Sequence, residues 1–376
     1  RNVPAVELSS RLARPRLYEF LKSGGVALPR EESYYGLSLP LGGGEVTMEE
    51  LVRLYAMLAN GGRLRPIYRE LQHPAATGGP RLLSAEATFL TLQMLGRVPR
   101  PVLDSPAGDE GIYWKTGTSM GFRDAWAVAV FDRYVLAVWV GNFDGERNPA
   151  FIGRTCAGPL LFRIIDAMKA EGRTAPRQLQ PPEGANLRQV ELCAVSGHLP
   201  NASCPHRTTG WFIPGVSPIA ACEVHREIII DTESGLRLSQ DDGTTTVRRE
   251  VYEFWSSEFQ ALFEGAGLPR RRPPPFAPGA GIETSGRSGH APRILSPAGG
   301  QVYARPSAEQ PVMLCASTEA EVRKVYWFAG KAFLGAAAPK EPLAWYPVPG
   351  EYRLIAMDDH GRATSARVVL EGGQPN

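Results

Sequence analysis

The sequence predicts helices packed around an antiparallel sheet, an α/β (α+β) arrangement, followed by a Cys/His-containing region and a small all-β sandwich. Three observations lead there. The 40 glycines and 33 prolines among 376 residues favour strands, turns and linkers over a helix bundle. Apolar residues at helical spacing fill the first hundred positions, and Val- and Trp-rich strand-like runs replace them after Gly111. Finally, residues 269–292, proline-rich and then glycine- and serine-rich, set off a last segment of short strand-like runs. No internal repeat is present.

In chain order, a short apolar run, Val3 to Leu8, precedes a predicted helix over Ser10–Lys22, with Leu12, Leu17, Phe20 and Leu21 on one face. Residues 47–60 give a clearer helix: Thr47 and Glu50 are spaced as a capping box, Leu51, Leu54, Tyr55 and Leu58 form its apolar stripe, and Gly61-Gly62 ends it. A third helix starts at the N-cap Ser84 and runs through Phe89 and Leu92 to Leu95. Residues 112–118, Ala125–Phe131 and Tyr134–Phe143 read as strands, with Asp132-Arg133 as a two-residue hairpin turn. The apolar helix Gly158–Ala170 covers one face of that sheet. The polar, proline-containing stretch from Arg173 to Pro182 marks a boundary, giving regions 1–182, 183–268, the linker 269–292 and the β-sandwich 293–372. One helix near Phe254–Phe263 is expected in the second region. In the last, Val312–Ala316, Val322–Phe328, Tyr352–Ala356 and Arg367–Leu370 are the strand-like runs, and the linker predicts a module that folds by itself.

A formal charge of +2, from 41 basic and 39 acidic residues, argues against a dedicated nucleic-acid binder. The best membrane-span candidate, Ala125 to Val140, is interrupted by Asp132-Arg133. The chain begins at Arg1 with no signal peptide, and the expectation is that its natural N-terminus lies upstream.

Lys115-Thr116-Gly117-Thr118-Ser119 carries the chemistry. A strand ending in Lys-Thr-Gly offers a cation for a carboxylate, hydroxyl donors, and a glycine at which backbone can approach a reacting acyl group. Alone the tripeptide is a weak signal, equally an ordinary strand end. Its surroundings strengthen it. KTGTSMGFRDAWAVAVFDRYVLAVWVGNFDG (115–145) resembles the C-terminal part of a penicillin-binding transpeptidase domain, and LGGGEVTMEELVRLYAMLANGGRLRP (41–66) resembles the helix upstream of Lys-Thr-Gly. RNVPAV at the start is similar to the residues of a Ser-x-Asn element whose serine would precede Arg1. The likeness continues through GRTCAGPLLFRIIDAM, CAVSGHLPNASCPHRTTGWFIPGVSPIAACEVH and RILSPAGGQVY, an order similar to bifunctional, class A penicillin-binding proteins of the 1C type.

That resemblance implies a partial penicillin-binding/β-lactamase-like transpeptidase domain acting on peptidoglycan stem peptides ending in D-Ala-D-Ala, with β-lactams as substrate mimics. It implies that Lys115 and Thr116 hold the substrate carboxylate, with Gly117 beside them, that the Thr118 backbone N–H serves the oxyanion, and that Asn2 contacts the substrate amide. It also implies a glycosyltransferase domain and a membrane anchor upstream, other cell-wall synthesis proteins as partners, and residence on the periplasmic side of the bacterial inner membrane. One departure matters: no serine in the sequence is followed three residues later by lysine, so the nucleophile is missing from this chain and it is expected to be inactive. The alternatives are a non-catalytic cell-wall scaffold or adaptor and, less suited to the long tail, a β-lactamase.

Cys193, His198, Cys204, His206, Cys222 and His225 crowd one short stretch. Cys222-x-x-His225 makes half a zinc site, but Cys193 and Cys204 are not a close-spaced pair. Disulfide or free thiols are preferred to metal and both stay open; no metal ligand and no cofactor is assigned. Cys156 reads as a small core residue, Arg270-Arg271-Arg272 as a solvated charge run, Trp327 and Trp345-Tyr346 as sandwich core, and Arg123-Asp124 as turn-forming.

Overall fold

The computed structural model describes residues 2–70, 78–101, 110–278, 289–300, 302–305 and 310–372. Arg1, at the head of the Ser-x-Asn element, and residues 279–288 of the linker lie outside them. The chain divides into two compact units, Arg1–Arg188 with Trp211–Ser217, and Gln189–Gly210 with Pro218–Asn376.

In the first unit, helices α1 (Asn2–Ser10), α2 (Leu17–Ser23), α3 (Glu32–Tyr35), α4 (Met48–Ala59) and α5 (Ala85–Leu95) precede strands β1 (Ile112–Thr118), β2 (Asp124–Phe131) and β3 (Tyr134–Gly141). A π-turn, Gly153–Ala157, then leads into α6 (Gly158–Ala170). The strands form one antiparallel sheet in the order β1-β2-β3. Strand alternation sorts the core. Ile112 and Trp114 of β1, and Ala125, Ala127, Ala129 and Phe131 of β2, pack with Leu161, Phe162 and Ile165 of α6. Tyr113 and Val130 project from the opposite face and meet Leu92 of α5, with Tyr55 and Leu58 of α4 beside them. The Trp114 indole stands edge-on to Phe162, ring centroids 4.9 Å apart, and donates its N–H to the Val98 carbonyl.

The caps sit where side-chain chemistry requires. Thr47 accepts from the Glu50 N–H while the Glu50 carboxylate accepts from Thr47 N–H, and Ser84 accepts from Ala87 N–H. Asp132 takes a positive φ of 49° in the hairpin turn, a conformation that Asp tolerates better than most residues. The helix expected over Ser10–Lys22 is confined to α2, and the apolar run Val3 to Leu8 lies in α1; between them Pro15 disfavours helical geometry at Arg14 and lacks an N–H to continue a ladder.

In the second unit, β4 (Arg188–Cys193) pairs with β5 (Arg207–Phe212), and β6 (His225–Asp231) lies between β7 (Arg237–Leu238) and β8 (Val247–Glu253). Helix α7 (Ser257–Gly265) follows, capped by Ser256, which accepts from Phe259 N–H. Eight further strands are β9 (Arg293–Ser296), β10 (Val302–Arg305), β11 (Val312–Ser317), β12 (Val325–Ala329), β13 (Ala332–Ala337), β14 (Leu343–Trp345), β15 (Gly350–Asp358) and β16 (Ala363–Gly372). They make a sheet ordered β10-β16-β15-β12-β13 and another ordered β14-β11-β9, with Leu314, Val325, Trp327, Trp345, Leu354 and Val368 in one shared core. Trp327 and Trp345 are thus interior, whereas Tyr346 is exposed.

Residues 225–254 do not stand apart from these sheets. Ile228, Ile230, Tyr252 and Phe254 share a core with Ala320. Ser257 N–H donates to the Thr318 carbonyl at 2.7 Å, and Thr318 N–H returns to the Ser257 hydroxyl at 3.1 Å. Ion pairs run beside them: the half-buried Arg226–Glu319 at 2.9 Å and Arg237–Glu321 at 2.7 Å, and the buried Arg362 to Asp358 at 2.7 Å and to Glu321 at 3.1 Å. The arginine run is also anchored. Arg270 pairs with Glu253 and lies over Phe263, Arg271 pairs with Glu250 and lies over Tyr252, and Arg272 reaches Glu264. All three stay exposed, as a solvated run would be, while meeting these partners.

Candidate functional site

β1 is an edge strand, and among the described residues no strand covers its outer side. Its orientation follows from one hydrogen bond. Ser119 N–H donates inward to the Asp124 carbonyl at 3.0 Å. Successive N–H groups alternate in a strand, so those of Thr118 and Thr116 point outward, to the open edge. The register Thr116↔Ala127, Gly117↔Trp126, Thr118↔Ala125 has no shift that would break this alternation.

Side chains follow the other alternation. Lys115 and Gly117 share the face of Tyr113, and cross-strand Trp126 and Trp139 lie on that face too, ring centroids 6.3 Å apart. The Lys115 ammonium folds along the open edge and donates to the Thr116 carbonyl at 2.6 Å. Solvent reaches this side chain, yet enough protein surrounds the ammonium for desolvation to lower its pKa below the ordinary lysine value. A Cβ added to Gly117 would meet only Trp126, at an ordinary 3.5 Å. Packing within this chain therefore does not require glycine there.

The end of the strand is held firmly. Thr118 hydroxyl accepts from Gly153 N–H at 2.9 Å, fixing the π-turn that opens α6. Gly153 is itself obligatory: a Cβ would fall 2.3 Å from the Gly117 carbonyl oxygen and 2.7 Å from that of Trp126. The Ser119 hydroxyl accepts from the N–H groups of Arg123 and Asp124, and the Asp124 carboxylate accepts from the Trp139 indole at 3.0 Å. Arg123 and Asp124 build the turn, as their position suggests. Gly153 escaped the sequence reading, because only the fold brings it to the motif; Ser119, named with the motif, had no turn role assigned to it.

Lys115, Thr116, Gly117 and Thr118 are thus consecutive along one open edge. Asn2 is elsewhere in kind: it is exposed in the first turn of α1 and, among the described residues, has no hydrogen bond to β1. Cys156 sits in the π-turn, half-buried against the α6 core. In the second unit Cys193, Cys204, Cys222 and His225 come together, all buried, while His198 and His206 are exposed. The spacing of Cys193 and Cys204, eleven positions apart in the sequence, had hidden this convergence.

Comparison with known proteins points to penicillin-binding proteins. Residues 283–369 match the Penicillin-Binding Protein C-terminus Family, and residues 184–227 match the penicillin-binding protein 1A C-terminal domain. Over 98% of its length the chain is 24% identical to penicillin-binding protein 1C of Escherichia coli, covering 48% of that protein. The chain is thus similar to the C-terminal portion of class A penicillin-binding proteins. Penicillin-binding protein 1A of Clostridium botulinum is 24% identical over 67% of this chain and 32% of its own length. A crystal structure of penicillin-binding protein 1A from Haemophilus influenzae aligns with 59% of this chain and 40% of that one, at 19% identity and a TM-score of 0.46. The chain therefore spans about half or less of the relatives it matches. These relatives are named for penicillin binding. Among the described residues no helix is long and apolar enough to cross a membrane.

Proposed function

We propose that β1 is the carboxylate- and oxyanion-binding wall of a D-Ala-D-Ala transpeptidase in a bifunctional peptidoglycan glycosyltransferase/transpeptidase. The observation that carries this reading is the outward N–H of Thr118 on an uncovered edge, with the Lys115 ammonium on the same edge. Lys115 and Thr116 bind the terminal carboxylate of a stem peptide or the equivalent group of a β-lactam. Thr118 N–H stabilises the oxygen that becomes negative when a serine attacks the penultimate carbonyl. The serine–carbonyl ester forms, the D-Ala-D-Ala amide breaks, and the departing D-Ala amine takes the serine proton; an acceptor amine then displaces the serine. Gly117 leaves room for backbone approach on a face whose packing does not itself demand glycine. Asn2, as part of Ser-x-Asn, contacts the substrate amide; this role requires its segment to adopt a different position from the exposed first turn of α1. The parent protein works on the periplasmic face of the inner membrane, alongside other wall-synthesis proteins.

Fluorescent penicillin tests this directly. No serine here is followed three residues on by lysine, so the chain alone should form no covalent adduct. Joined to an upstream segment bearing Ser-x-x-Lys, it should be acylated, and the adduct should map to that serine by mass. Labelling of the chain alone would require another nucleophile. Failure of the longer protein to label, though folded, would favour a non-catalytic wall scaffold.

A further inference from the structure

We propose that Cys193, Cys204, Cys222 and His225 form a structural zinc site, independent of the transpeptidase reading. One ligand atom from each lies within 4.8 Å of all the others. His225 Nδ1 is 3.4 Å from the Cys193 sulfur and 3.5 Å from that of Cys222. Zinc bonds of about 2.0–2.3 Å in a tetrahedron put neighbouring ligand atoms about 3.3–3.8 Å apart, so the two measured separations already suit a shared ion. All five cysteines of the chain are free thiols in the structure. The four residues are at most 7% exposed, a closed set with no position for a reacting water. Such closure belongs to structural rather than catalytic zinc.

The backbone around the cluster is arranged for thiolates. Gly197 N–H donates to the Cys193 carbonyl at 2.9 Å, closing a tight loop after that residue. The Cys204 sulfur receives Asn201 N–H at 3.3 Å. The Asn201 side-chain amide donates to the carbonyls of Cys222, at 2.7 Å, and His225, at 2.9 Å, tying the two loops together. On the far side of the imidazole, Nε2 is buried without a hydrogen-bond partner, 4.0 Å from the Glu253 carboxylate. A neutral His225 ligating through Nδ1 would carry its proton on Nε2, and a small closure would give that proton to Glu253, the outer-shell arrangement usual for zinc histidines. Binding displaces three thiol protons and leaves three thiolates and Zn²⁺ with a net charge of −1.

The full chain, purified without chelator, should contain about one zinc by elemental analysis. It should also show five reactive thiols after denaturation and an intact mass with no hydrogens missing. Cobalt exchanged into it should give thiolate-to-metal charge-transfer absorption of a tetrahedral site. Cys204→Ser should lose the metal, whereas Cys315→Ser, a cysteine outside the cluster, should keep it. Should Cys204→Ser fail to fold, stoichiometric zinc release from the unmutated chain on titrating its thiols with a mercurial provides the same test. A mass two hydrogens low with a mapped disulfide inside the cluster would overturn the site. So would a folded, fully reduced chain that takes up no zinc or cobalt, or a Cys204→Ser variant that retains full metal content.

Discussion

The edge of β1 and the Cys/His cluster are opposites in construction. Along β1, donors face solvent and are incompletely used: the Thr118 N–H points outward and Gly117 fits without need. Around Cys193 nearly every polar group is directed at another group of the chain, and the ligand atoms are sealed from water. Unfulfilled polarity on a rigid support marks a place that waits for a partner, while polarity turned inward marks a place that holds the chain together. Substitutions should therefore damage recognition in the first region and stability in the second.

Arg362→Ala should give the largest loss. Its guanidinium is buried between Asp358 and Glu321, and removing one partner of such a group typically costs about 3–5 kcal/mol because uncompensated charge is left inside. Denaturant unfolding followed through tryptophan fluorescence of the second unit measures it; a change below about 1 kcal/mol would mean the network is well solvated. Acid should act next, through Glu319. Burial alone would raise its pKa, but the Arg226 guanidinium and the His290 N–H more than offset this and hold it at about 2, against an ordinary 4.5. With the folded pKa depressed, the unfolded chain binds the extra proton, so this stabilisation is complete above about 4.5 and is lost as pH falls towards about 2. Glu319→Gln should flatten the pH dependence of stability in that window, and an unchanged slope would assign the acid sensitivity elsewhere.

On the open edge, Lys115→Ala in a longer, serine-bearing protein should leave the melting temperature nearly unchanged. It should slow penicillin acylation about ten- to a hundred-fold, the equivalent of a charge-assisted hydrogen bond of about 1.5–3 kcal/mol. Equal losses in stability and acylation would erase the contrast between the regions. The smallest effect is expected at Ser84→Ala, where loss of the α5 cap should cost about 1 kcal/mol without affecting labelling by penicillin.

What the sequence makes legible is local. Thr47, Ser84 and the Asp132-Arg133 turn announce themselves because their side chains or backbone satisfy groups within a few residues. Lys115 to Thr118 are legible for a related reason, since their strand displays them consecutively. Long-range closure leaves little trace. Cys204 meets Cys193 only because the Asn201 loop folds back, and the partners of Arg270 to Arg272 come from β8 and α7. The strands β9, β10 and β14 are short, and β13 carries mostly Ala and Gly, too little amphipathic signal to separate them from loop.

The ion pairs flanking Ala320 bear on how this architecture can be recombined. A designer grafting a terminal cassette onto another protein would naturally cut in the proline-rich stretch and carry away residues 293–372. That excised piece would keep Glu319 and Glu321 but leave behind Arg226 and Arg237, along with the apolar side chains that cover Ala320. The two carboxylates would then share Arg362 without the second arginine that each has in the whole chain. The portable module is instead the longer segment that begins near Gln189, and chimeras joined there should express where those joined at Arg293 precipitate.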